Sequence, residues 1–320
     1  MTPSRYRTIA IATLVALSVI IVTGAAVRLT NSGLGCDDWP NCSRERLIDV
    51  SSKHAAIEQI NRLFTGIVGA AAIAAVLGSI VRRPRRRDLV VLSVLISLGV
   101  VANAVLGGIS VLVDLHPLAV QGHMLLSMAL IVTGSVLVRR AGEPDGEPRI
   151  QVVSRITRRL TWALFALTAL AVVAGTLVTG AGPHAGDETA ERLDVAIPTV
   201  ARLHGGTVMV AIATGVALGV RVWSRAGDRR QIGEALTSWL FLGVLQAALG
   251  YVQYFNGVPA LLVGVHVAGA TAVMIAATFV VLDTTRPLAT AEFAGLPTPV
   301  SDDAVIAVDS RTVNALQRHG

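Results

Sequence analysis

Apolar residues dominate this chain in long runs, and charge returns between them mostly as clusters of arginine. Eight runs nearly free of charge occupy residues 9–27, 63–81, 89–113, 118–137, 161–179, 205–222, 236–255 and 260–282. A helix needs roughly 20 residues to cross a hydrocarbon core about 30 Å thick, so each run predicts one membrane-spanning helix. The first run follows Arg5 and Arg7 and ends near Gly24-Ala25-Ala26, which is also the outline of a secretory leader. Its apolar core is longer than that of a leader and seven more runs follow it, so it is read as a retained first helix. The fold class expected is all-α: an integral membrane protein of eight transmembrane helices.

The polar segments set the orientation. Arg5 and Arg7, the run Arg82-Arg83-Pro84-Arg85-Arg86-Arg87, and the loops 139–159 and 221–230 all fall on one side of such a bundle. The positive-inside rule makes that side cytoplasmic and puts both termini there. The two long loops on the opposite side, 29–56 and 180–201, hold the polar residues that are not arginine clusters. Composition agrees with this reading: 53% of the 320 residues are hydrophobic and only 15% are charged, too few to cover a soluble protein of this size. The formal charge of +6 could point to nucleic acid. The arginines are spread over short loops beside helix ends rather than over one folded basic face, so no nucleic-acid partner is expected and the bilayer is.

A polar stretch, Gly142-Glu143-Pro144-Asp145-Gly146-Glu147-Pro148, divides the eight runs into four and four. The halves share a register. Asn61 and His204, Leu106-Gly107 and Leu249-Gly250, and His123 and His266 are each separated by 143 residues. Gly24-Ala25-Ala26-Val27 corresponds to Gly175-Thr176-Leu177-Val178 at a slightly different offset. Because each half has an even number of helices, the two run in the same direction and form parallel repeats of a four-helix bundle. The expected organisation is an N-terminal bundle over 1–141, a cytoplasmic linker over 142–159, a C-terminal bundle over 160–283 and a disordered cytoplasmic tail over 284–320.

Of seven histidines, His123, His204 and His266 fall near the outer ends of even-numbered helices at similar depth. Ionisable groups at membrane depth are rare and face the bundle interior, so they are functional candidates, although one alone can simply make an interhelical hydrogen bond. His204 and His266 can meet across the second bundle, and two facing imidazoles suit the axial positions of a haem. The small residues of His204-Gly205-Gly206 and of Gly264 to Gly269 would let a flat macrocycle approach the backbone. The first half has Asn61 opposite His123, and an amide is a poor iron ligand. Glu58 lies one helical turn outward of Asn61, where the second half has Ala201. One half thus reads as a saturated bis-histidine site and the other as a more open site beside an acid. Cys36 and Cys42 lie in the outward loop above the open site, where a disulfide is permitted as a staple or as a redox pair.

These residues resemble the heme A synthase family. The resemblance rests on Thr23 to Thr30 followed by Ser32-Gly33-Leu34-Gly35-Cys36, on Glu58 to Arg62, on Gly122-His123, on Arg202 to Gly205 and on Val265-His266. It implies a cell-membrane enzyme that oxidises the C8 methyl of heme O to a formyl group by successive hydroxylations, supplying cytochrome oxidase. It further implies haem b held by His204 and His266, substrate haem at His123, Glu58 as the catalytic glutamate, and Cys36 with Cys42 as the family's paired loop cysteines. On that reading Arg28 and Arg62 pair with propionates. Heme O synthase and an electron donor are the partners expected, the haem positions lie near the outer face, and homo-oligomerisation is left open. The sequence departs from the family at Asn61, where many members carry histidine, which leaves His123 as the preferred sole ligand for substrate iron. A dihaem b-type electron carrier linked to quinol is the alternative; it shares the histidines but gives Glu58 and the cysteines no role.

Overall fold

The computed structural model describes residues 1–288, so most of the tail expected beyond residue 283 lies outside the described residues. Among the described residues, eight helices are long and apolar enough to cross a membrane: α1 (Pro3–Leu29), α2 (Lys53–Val81), α3 (Arg87–Leu112), α4 (Pro117–Ala141), α5 (Arg155–Ala181), α6 (Ile197–Trp223), α7 (Ala226–Phe255) and α8 (Ala260–Leu282). The chain is therefore a nearly all-helical, multi-pass membrane protein. Leu63, Leu98, Phe241 and Leu261 are more than half exposed, as residues facing lipid should be.

Several helices begin before their apolar run does, because polar caps and prolines start them. The Ser52 hydroxyl accepts from the Ala55 amide at 3.0 Å, so α2 starts at Lys53 and takes Glu58 and Asn61 into regular helix. Pro198 lies in the first turn of α6, which puts His204 in the second turn. His116 caps α4 through Nδ1, and Pro117 is its first residue.

The helices close into two rings. In the first, α1 packs on α2, α2 on α3, α3 on α4 and α4 on α1; in the second, α5 to α8 close in the same order. The rings meet where α1 touches α8, α4 touches α5, and α4 touches α8. Glycines bring neighbours close in both: Gly78 lies against Tyr6 and Gly215 against the buried Trp239. One buried cluster fills the first ring and reaches Met274 of α8, and a second, around Leu164, Leu218, Leu236 and Trp239, fills the other.

At one end lie the arginine-bearing segments. The N-terminal ammonium donates to the Val81 carbonyl, Arg82 pairs with Asp145, and Arg221 donates to Ser154 and Thr157, which also bond Asp228. Here the structure differs from a plain linker followed by a tail. Arg149–Gln151 forms β1 and Thr285–Pro287 forms β2, paired antiparallel with Ile150 opposite Arg286. Arg149 explains the pairing, since its guanidinium donates to the Leu282 carbonyl at 3.2 Å and the Thr285 carbonyl at 2.9 Å, satisfying the end of α8.

Candidate functional site

At the opposite end, His204 and His266 face each other across the second ring. Their ring centres are 6.2 Å apart and their planes 76° to one another. Two metal–imidazole bonds of about 2.0 Å each, extended to the ring centres, span about 6 Å, so the spacing suits one metal ion between the rings. The His204 Nδ1 donates to the Ala171 carbonyl at 2.9 Å, which fixes the ring and leaves Nε2 as the ligand atom. His266 Nδ1 is buried with no hydrogen-bond partner, while its carbonyl accepts from Gln246 Nε2. Gly175 and Gly250 make room for the rings: a Cβ there would stand 3.2 Å from His204 Cε1 and 3.3 Å from His266 Cε1. A Cβ on Gly205 or Gly206 would meet nothing within 4 Å, so the helix beside His204 is open to a flat ligand. Among the described residues no group of three or more His, Cys, Asp or Glu could hold a metal ion. This donor set of two imidazoles on an open apolar face fits a haem.

In the first ring, His123 Nδ1 donates to the Asn103 carbonyl at 3.0 Å. The Asn103 amide donates to Ser127 Oγ at 2.9 Å, and that hydroxyl donates to the His123 carbonyl at 2.8 Å. Gly107 lies against this ring as Gly250 does against His266. Asn61 Oδ1 accepts from the Thr23 hydroxyl at 2.9 Å.

Glu58 is only 5% exposed, and its partners explain how a carboxylate can be buried there. Oε2 accepts from the Cys36 amide at 2.8 Å, and Oε1 accepts from Arg62 Nη2 at 2.6 Å and Nε at 3.1 Å. Arg62 also donates to the Asn41 carbonyl at 2.9 Å and the Asp38 carbonyl at 3.1 Å. Cys36 and Cys42 form a disulfide, and both are buried beside Ala55. The ion pair of α2 therefore holds the disulfide loop by three backbone groups. From that loop Trp39 lies flat against Gly108 of α3.

Glu58, Arg62, Cys36 and Cys42 are thus brought together, as are His204 and His266. Arg28 goes elsewhere: its guanidinium donates to the Thr179 carbonyl at 3.0 Å, at the end of α5. His54 is exposed and bonds Ser32 Oγ through Nδ1 at 2.9 Å. The two outward loops touch where the Gly33 amide donates to the Gly186 carbonyl at 2.9 Å. Next to that contact, the Thr189 amide and hydroxyl hold the Asp187 carboxyl below the usual carboxylate range, keeping the loop end charged. Sequence reasoning gave Thr23 no role of its own within the resemblance and missed Asn103, Ser127 and Gln246. Asn103 and Gln246 were within reach of it, being polar residues inside apolar runs at the same separation of 143 as the histidines.

Comparisons with known proteins bear on the family of the chain. The profile of the family described as COX15-CtaA, cytochrome oxidase assembly protein, matches residues 7–278. The heme A synthase of Exiguobacterium sibiricum is 26% identical over 167 residues, 52% of this chain and 56% of that protein. The heme A synthase of Lysinibacillus sphaericus is 27% identical over 186 residues, 56% of this chain and 59% of that protein. That of Listeria monocytogenes (strain HCC23) is 28% identical over 171 residues, 52% and 56% of the two chains. The chain therefore aligns with little more than half the length of each of these relatives.

Proposed function

This chain belongs to the COX15-CtaA family of cytochrome oxidase assembly proteins, and on that premise we propose that it is a heme A synthase. It oxidises the C8 methyl of heme O to a formyl group by successive hydroxylations. The observation that carries this reading is the asymmetry of the two rings: a bis-imidazole pair in one, and in the other a single histidine with a buried glutamate under a disulfide loop. A dihaem electron carrier is expected to have full ligation in both rings and gives Glu58 and the cysteines no role, whereas a catalyst needs one site for its cofactor and a different one for its substrate.

In this proposal haem b is held by His204 and His266, and when bound it supplies one-electron transfer. Heme O is the substrate at His123. The closed order of contacts within each ring, and the symmetric meeting of α1 with α8 and α5 with α4, support descent from a duplicated bundle whose halves lie parallel. Ala171 and Asn103 fix the ligand rings through their carbonyls, and Gln246 and Ser127 hold the ligand-bearing backbones. Glu58 holds or delivers a proton at the rim of the first ring, its carboxylate kept ready by Arg62 and the Cys36 amide. Arg62 and Arg28 are the cations assigned to propionates at the outer end, where each must exchange a backbone carbonyl partner for the propionate carboxylate. The bilayer is the cell membrane, with both termini in the cytoplasm and the haem positions toward the outer face. Heme O synthase and an electron donor are its partners.

The test is expression of the chain with a source of heme O in a host lacking its own heme A synthase, followed by mass identification of extracted haems. Heme A is expected. Heme O recovered unchanged beside haem b, with an active control enzyme converting it, would refute the proposal.

A further inference from the structure

The two rings treat equivalent carbonyls differently. In the second ring the Ala171 carbonyl of α5 accepts from His204 Nδ1. Aligning Gly24 with Gly175 makes Ile20 the counterpart of Ala171 in α1, and Thr23 the counterpart of Ala174. The Thr23 hydroxyl reaches the Ile20 carbonyl at 3.2 Å and Asn61 Oδ1 at 2.9 Å. So the carbonyl that anchors a histidine in one ring is met by a threonine in the other, and that threonine also binds the residue standing in the histidine's place. Around them there is room. A Cβ on Gly175 would press on His204, whereas one on Gly24 would meet nothing within 4 Å. His54 is no replacement ligand, since it is exposed on the loop side and bonded to Ser32.

We propose that the Thr23–Asn61 pair makes the first ring a one-histidine iron porphyrin site, with His123 on one face and the other face left to a small exogenous ligand. The ligand class is a neutral molecule of one or two heavy atoms, such as water or a diatomic gas. With Asn61 Oδ1 accepting from Thr23, the amide is turned to offer such a ligand its Nδ2 hydrogens, a donor rather than a competing base. Thr23 is then a positioning residue, setting which end of the amide faces the ligand. The inference rests on the reading that the first ring takes a haem, but not on its conversion to heme A.

The experiment uses the full chain in detergent, loaded with hemin, reduced, and exposed to carbon monoxide. Two components are expected: a low-spin one inert to carbon monoxide, and a high-spin one that binds it. In His123→Ala the reactive component is lost while the low-spin one remains. In the double variant Thr23→Ala, Asn61→His, the Ile20 carbonyl is free to anchor the new histidine, and the reactive component becomes low-spin and inert at unchanged haem content. Should that variant fail to fold, Asn61→Ala keeps the reactive component but shifts the stretching frequency of bound carbon monoxide. Wild-type protein with no reactive haem, reactivity surviving in His123→Ala, or an unshifted stretch in Asn61→Ala would overturn the proposal. No heme O is present, so the outcome is independent of whether the chain makes heme A.

Discussion

Under the proposed function, Glu58 and Arg62 are one pair of side chains with both a chemical and an architectural part. Removing the carboxylate charge leaves a guanidinium whose remaining partners are the loop carbonyls of Asp38 and Asn41. Glu58→Gln is expected to abolish heme A formation while sparing the low-spin haem spectrum, because the bis-histidine pair is in the other ring. Arg62→Ala acts on the loop instead, deleting two backbone anchors and leaving the buried Glu58 without its counter-charge. An uncompensated buried charge costs roughly 3–5 kcal/mol, so this variant should be the less stable of the two in thermal denaturation. It should also let dithiothreitol reduce the Cys36–Cys42 disulfide faster than in wild type. At Gly108 even a methyl group collides with the Trp39 ring. Gly108→Ala is expected to cost about 1–3 kcal/mol through overpacking and to raise protease cutting within residues 29–52, with the proposed haem binding by His204 and His266 unchanged.

Among the elements, α2 matters most, because its first turns lie outside its apolar run. Ser52 starts it early, and the extra turns carry Glu58 toward the Cys36 amide and Asn61 toward Thr23. The short disulfide loop is the cover for those turns. Replacing both cysteines by serine should remove roughly 2 kcal/mol of loop-closure stabilisation. Faster hydrogen exchange is then expected at position 36 and over residues 53–58, with α6 and α8 unaffected. The strand pair at the other end shows the opposite case. Residues 149–151 and 285–287 read as linker and tail because they are short, polar and lack any strand alternation. They pair because the open carbonyls at the end of α8 need a donor and Arg149 is beside them.

Across the whole molecule, the two rings bury separate clusters and meet through α1, α4, α5 and α8 alone among their larger contacts. Damage to one proposed haem position should therefore stay local. His204→Ala and His266→Ala are each expected to remove the low-spin haem signal without abolishing haem binding at His123; survival of the low-spin signal in either would show that the ligands are misassigned. Much of this was legible beforehand. Hydrophobicity is a local, additive property, so eight apolar runs were enough to specify eight spans, and the separation of 143 residues also relates Gly107 and Gly250, which lie against His123 and His266. Arg28 could not be read that way: its partner Thr179 is 151 residues off, in the other ring. Nor could the bond from Cys36 to Glu58 or that from Thr23 to Asn61, since hydrogen bonds depend on atoms meeting within a few tenths of an ångström. Residue types along the chain decide which segments leave water and which polar groups go with them, whereas the partners of those groups are decided by how the helices close into rings.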